Sequence, residues 1–125
     1  MELLERELTE RIIGAAIEVH RELGAGLLES SYRACLMREL SLNRIRAECE
    51  VAVPVAYKGL RLDCGFRADI IVEDRVILEL KTVERLLPVH DAQLLTYLKL
   101  RGCHIGLLLN FNSTNLRNGL RRLVR

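Results

Sequence analysis

Leu4, Leu8, Ile12, Ala16, Val19 and Leu23 recur at three- and four-residue spacing, the period of one face of an α-helix, and Gly24-Ala25-Gly26 closes the run. A second helical run follows from about Leu28 to Leu40, with Leu28, Tyr32, Leu36 and Leu40 as its buried stripe. Glu29 and Tyr32 are three apart and share a face, which turns the carboxylate toward the protein body. The period then shortens to two. ECEVAVPVAY (48–57), a turn at Lys58-Gly59, LRLDCGFRADIIVE (60–73) and RVILELK (75–81) predict three antiparallel strands, with Pro54 marking an edge strand or a bulge. Pro88 opens a third helix that Gly102 ends, and His90, Gln93 and Tyr97 share one of its faces. CHIGLLLNF (103–111) reads as a buried strand, placed to lie parallel to Val76–Lys81 through a right-handed crossover. From Ser113 the pattern weakens, and the helical spacing of Leu116, Leu120 and Leu123 suggests a short last helix. The order ααβββαβ predicts an α/β fold with a mixed central sheet of about four strands flanked by helices, as one domain over residues 1–125.

Half of the 125 residues are hydrophobic, enough for one compact core. No apolar run approaches the roughly 20 residues that span a membrane, and MELLERELTE is acidic where a signal peptide would be basic, so a cytoplasmic protein is expected. Cys35, Cys49, Cys64 and Cys103 include no C-x-x-C pair and read as buried free thiols. The net charge of +2 is too small to identify a nucleic-acid partner. Arginine nevertheless outnumbers lysine, and Arg117, Arg121, Arg122 and Arg125 crowd the C-terminal end, as phosphate contacts or as a solvated basic tail.

The candidate chemistry lies in FRADIIVEDRVILELK (66–81), where Asp69, Glu79 and Lys81 interrupt apolar strands. Glu79 and Lys81, two apart, share a face. A two-residue turn at Glu73-Asp74 would oppose Asp69 to Leu78, whereas a three-residue loop Glu73-Asp74-Arg75, pairing Val72 with Val76, sets Asp69 across from Glu79. Two opposed carboxylates would lie roughly 5 Å apart and repel each other unless a cation sits between them. Hard oxygen donors suit Mg²⁺ or Mn²⁺, with water and substrate phosphate completing the shell. Lys81, roughly 7 Å along the strand from Glu79, could orient a water or neutralise charge on a phosphate. The implied reaction is metal-assisted phosphodiester hydrolysis. A solvated sheet face with a cross-strand ion pair is the plainer account, but the apolar residues on both sides of Glu79 make an unpaired carboxylate costly there.

With these residues in hand, the chain resembles the PD-(D/E)XK nuclease superfamily and, more narrowly, the GxxExxY protein family. The naming motif stands as Gly26-Leu27-Leu28-Glu29-Ser30-Ser31-Tyr32, followed by FRADIIV, ELK at Glu79 to Lys81, HDAQLLTYLKL and LLLNF. Each motif is weak, but five in order across nearly the whole chain are specific. The resemblance implies a restriction-endonuclease-like core with Asp69, Glu79 and Glu29 as the metal-binding carboxylates and Lys81 as the signature lysine. It places Gln93 beside the site and gives Gln93 and Tyr97 contacts with Lys81 or substrate. Ala68 stands where the signature has proline. His20 and His90 are placed as in the family, although a structural hydrogen bond is the commoner role of a lone histidine. The implied function is Mg²⁺- or Mn²⁺-dependent cleavage of nucleic acid, DNA before RNA. A homodimer would be compatible, and the alternative is a catalytically silent nucleic-acid-binding or protein-interaction module on the same fold.

Overall fold

Helix α1 (Arg6–Leu23) forms where the sequence period predicts it, burying Leu8, Ile12, Ala15, Ala16 and Val19, and stops at Gly24, whose φ of +70° a side chain would resist. This computed structural model describes residues 5–63 and 66–125; Leu4 and Cys64, named above, lie outside them. Helix α2 (Glu29–Leu42) buries Tyr32, Leu36 and Leu40. Leu28, expected as the first rung of that stripe, is instead 75% exposed, because the backbone there is still extended and the helix begins one residue later.

The strand region is more divided than its periodicity suggested. Strand β1 (Ala47–Ala52) ends before Pro54, which lacks the N–H a continuing ladder needs, and β2 (Val55–Tyr57) pairs with β3 (Leu60–Leu62) in a separate two-stranded ribbon. Strands β4 (Arg67–Val72) and β5 (Val76–Lys81) form the central hairpin, helix α3 (Pro88–Arg101) follows, and β6 (Ile105–Asn110) returns parallel to β5.

The tail does not continue as the expected helix. A single 3-10 turn, Leu116–Gly119, leads into β7 (Leu120–Val124), which pairs antiparallel with β6. Every residue of β6 is buried, so its outer backbone groups need a partner, and β7 supplies one. The result is a mixed five-stranded sheet in the order β1-β4-β5-β6-β7.

Helices cover both faces. Helices α1 and α2 pack on Ile70, Val72, Val76, Leu78, Leu80, Leu107 and Leu109, while α3 packs through Leu94, Tyr97 and Leu98 on Ile71, Ile77 and Leu108. Coverage from both sides explains the nearly unbroken apolar run of β5. Gly106 sits directly beneath Leu94, where a Cβ would meet three atoms of that side chain at 2.9–3.0 Å. Among the described cysteines all are free; Cys103 is buried, Cys35 half-buried, and Cys49 exposed, contrary to expectation, on the edge strand β1. Among the described residues no helix is long and apolar enough to cross a membrane.

Candidate active site

The β4–β5 loop adopts the three-residue alternative. Glu73 and Asp74 both take positive φ, the Arg75 N–H returns to the Val72 carbonyl at 2.9 Å, and Val72 pairs with Val76, Ile71 with Ile77 and Ile70 with Leu78. The next position in this register brings Asp69 opposite Glu79, and there carboxylates replace the ladder. The Asp69 N–H donates to Glu79 Oε2 at 2.9 Å, and the Leu80 N–H donates to Asp69 Oδ2 at 2.8 Å. A side chain that accepts from the neighbouring strand's backbone lies along the sheet, between the two strands.

The distortion extends into β1. Cys49 pairs with Ile70 and Val51 with Ala68, but Glu50, which faces Asp69, is skipped and has φ +52°. The side-chain alternation shifts at the same place. Ile70 packs with the α1–α2 layer while Ala68, two residues earlier, packs with the α3 layer; Ala47 and Val51 divide in the same way. A regular strand would keep such pairs on one face.

Glu29 reaches this point from the first turn of α2. The Tyr32 hydroxyl donates to the Gly24 carbonyl at 2.5 Å and accepts from the Leu27 N–H at 3.2 Å, while its ring stacks on Phe111 with centroids 4.5 Å apart. These contacts tie the glycine turn, with Gly26 at φ +107°, to the start of the helix. Glu29 Oε2 accepts from the Thr82 N–H at 3.2 Å, just beyond Lys81. Each of the three carboxylates is thus held through one oxygen by a backbone N–H, leaving Asp69 Oδ1, Glu79 Oε1 and Glu29 Oε1 outside those bonds.

Lys81 is half-buried, and its charge favours ionisation of both Asp69 and Glu79. Its backbone is pinned by β6. Phe111 N–H donates to the Lys81 carbonyl at 2.8 Å, and the buried Asn110, paired with Lys81 in register, bonds both the N–H and the carbonyl of Val83. Tyr97, 6% exposed, comes from α3, and its hydroxyl is pushed above the usual range by burial and then by the charges of Glu79 and Asp69. Gln93 is exposed and joins the cluster through Tyr97, donating to its hydroxyl at 3.4 Å. His20 and His90 each make a hydrogen bond to the backbone: His90 Nδ1 accepts from the Leu87 N–H at the start of α3, and His20 Nε2 lies 2.8 Å from the Ser113 carbonyl.

Two groups escaped the motif reading. Arg33, on α2, lies 3.9 Å from Asp69 Oδ1 and 3.5 Å from Glu50 Oε2. Its spacing of four from Glu29 was a usable signal, since such residues share a helix side. Glu50 could be found only with the β1–β4 register known.

Burial, then repulsion from Asp69, pushes the Glu79 carboxyl up to about 8, against the opposing pull of the Asp69 N–H and Lys81. Asp69 is raised as well, chiefly by burial, against its bond from Leu80. Neighbouring carboxylates this costly to ionise fit a hard divalent cation, and their oxygens are the donors Mg²⁺ or Mn²⁺ takes. Among the described residues no group of three His, Cys, Asp or Glu side chains could by itself enclose an ion. Where only one or two carboxylates hold such a cation, water or phosphate supplies the remaining ligands.

A family model of the PD-(D/E)XK nuclease superfamily matches residues 6–123. No curated protein and no solved structure matches the chain significantly.

Proposed function

We propose that this chain, which belongs to the PD-(D/E)XK nuclease superfamily, is a Mg²⁺- or Mn²⁺-dependent nuclease that hydrolyses phosphodiester bonds of nucleic acid, with DNA the expected substrate. The observation that carries this reading is the Asp69–Glu79 pair, held by backbone N–H groups at the point where the sheet ladder gives way, with Glu29 and Lys81 beside it. Its narrower kinship with the GxxExxY family is supported by the structural work of that motif, in which Tyr32 clamps the glycine turn and Glu29 enters the site.

Asp69 and Glu79 would hold the cation, with Glu29 completing the acidic set. When bound, the ion neutralises charge on the phosphate and activates it as a Lewis acid. The Lys81 ammonium orients the water and stabilises negative charge as the water oxygen, losing its proton to solvent, forms the new P–O bond and the bond to the leaving oxygen breaks, that oxygen taking a proton from solvent. Tyr97, steadied by Gln93, presents its hydroxyl to substrate. The domain works as one unit in the cytoplasm, a setting consistent with the free thiols, and as a homodimer it would address both strands of a duplex.

The test is incubation of the purified protein with single- and double-stranded DNA and with RNA, with and without Mg²⁺ or Mn²⁺. Cleavage should require the metal and fall on the order of 10²–10³-fold in Asp69→Asn and in Lys81→Ala. Unchanged cleavage in both variants would overturn the assignment. Metal-independent binding without turnover on any substrate would leave the non-catalytic module instead.

A further inference from the structure

Arg33 brings a cation to the cluster from α2. Its Nη1 stands 3.9 Å from Asp69 Oδ1 and its Nη2 3.5 Å from Glu50 Oε2. Both separations exceed the roughly 2.7–2.9 Å of a charge-assisted hydrogen bond, so the guanidinium lies between two carboxylates without closing its fork on either. The side chain is only 22% exposed, packed at the rim of the site rather than extended into solvent. Glu50 is brought to it by the left-handed kink at the position β1 skips, a conformation that a non-glycine residue seldom adopts. The Glu50 carboxylate thereby stands nearest Nη2 of the guanidinium, and that of Asp69 nearest Nη1.

A guanidinium has five donors in a planar fork suited to two oxygens of one phosphate. The oxygen of Asp69 that Arg33 faces is also the one left free by the Leu80 N–H. A phosphate meeting the fork would therefore sit next to the carboxylate pair. Arg101, by contrast, closes on Asp74 at 2.7 Å, while the Arg46–Glu73 pair stays open at 3.8 Å with an arginine that is 74% exposed, so what sets Arg33 apart is an open fork on a side chain only 22% exposed.

We propose that Arg33 is a substrate-binding residue that grips a phosphate of the bound nucleic acid, with Glu50 holding the guanidinium at the rim until that phosphate displaces it. This rests on the nuclease reading and adds to it the residue that engages the backbone of the strand.

The experiment measures binding of a labelled DNA duplex by fluorescence anisotropy, with Ca²⁺ replacing Mg²⁺ to prevent cutting, over about 50–200 mM NaCl. Loss of one phosphate contact reduces the magnitude of the negative slope of log K against log salt by about 0.9, so Arg33→Gln should bind more weakly and with that shallower salt dependence. Arg33→Lys should keep the slope, because it keeps the charge, while losing affinity with the fork. A folded Arg33→Gln protein with an unchanged slope overturns the proposal. Should Arg33→Gln fail to fold, Glu50→Gln carries the test: removing the competing carboxylate should tighten binding several-fold, and unchanged or weaker binding overturns it. Wild-type protein that binds no nucleic acid removes the nuclease reading together with this inference, whereas wild-type binding with an unaltered slope in Arg33→Gln removes Arg33 alone.

Discussion

Asp69 gives its backbone N–H to the Glu79 carboxylate at 2.9 Å, and its own carboxylate takes the N–H of Leu80, the residue after Glu79, at 2.8 Å. Two bonds of a sheet ladder are thereby exchanged for two side-chain bonds, and two acids are drawn into the space between strands. Glu79 is 5% exposed, and burial makes its charge costly. A proton relieves that cost, as a divalent cation would under the proposed function, so the same geometry ties stability to pH and would tie both to metal binding.

Stability of the metal-free protein should fall as pH rises. Folding moves the Glu79 carboxyl from 4.5 to about 8, so between those values the folded chain holds a proton that the unfolded chain has released. Where the folded state binds more protons, unfolding becomes easier with increasing pH. Calorimetry should show a higher Tm near pH 5 than near pH 8, and Glu79→Gln should flatten the profile and raise Tm at the alkaline end, at the expense of cleavage. A profile that is equally steep in Glu79→Gln would show that another group is responsible.

Metal binding should release protons. A carboxyl poised at about 8 is largely protonated at neutral pH and must ionise to hold a cation. Titration calorimetry with Mn²⁺ in buffers of different ionisation enthalpy should report release of about one proton per ion near neutral pH, diminishing above the Glu79 transition. Heat that does not depend on the buffer would contradict the assignment of Glu79 to the metal.

Tyr32→Phe should act on Glu29 from a distance. The hydroxyl bridges the Gly24 carbonyl and the Leu27 N–H, and removing it forfeits both bonds at about 0.5–1.5 kcal/mol each, since water can reach these partly exposed groups. Denaturant unfolding should show that loss. The Phe ring retains its stacking on Phe111, so the fold should survive while cleavage falls through poorer placement of Glu29. Full activity in a destabilised Tyr32→Phe protein would separate the turn from the site.

Gly106→Ala should push α3 away from the sheet. The added Cβ would lie 2.9 Å from two atoms of Leu94, a fully buried side chain, and overpacking of this kind costs about 1–3 kcal/mol. Tyr97 is on the same helix three residues on, so cleavage should fall along with Tm. Leu94→Ala combined with Gly106→Ala should recover part of both; no recovery would place the defect elsewhere.

Much of this fold was legible because periodicity records which sides of an element are covered. The stripe Leu8, Ile12, Ala16 and Val19, the turn at Lys58-Gly59 and the start of α3 at Pro88 all follow from local chemistry, and the structure has them. Register was narrower but still accessible: once Val72 faces Val76, Asp69 must face Glu79. The choice between the two loop lengths was not accessible, because it depends on Glu73 and Asp74 both taking positive φ, supported by the bond from the Glu73 N–H to the Arg46 carbonyl in a distant segment.

The local sequence thus determined the helices, the central hairpin and the acidic residues within it, since those depend on neighbours a few positions apart. Tertiary structure decided what happens at the edges. Leu116, Leu120 and Leu123 suit a helix by spacing, yet the unpaired backbone of β6 recruits most of that segment as β7. Arg33 reads as an ordinary helix charge until α2 is laid across the sheet and β1 kinks at Glu50. Unpaired backbone groups and buried charges are satisfied by whatever the fold brings near, and residues 17 and 36 positions apart in the chain, as Glu50 and Asp69 are from Arg33, leave no periodic trace of that proximity.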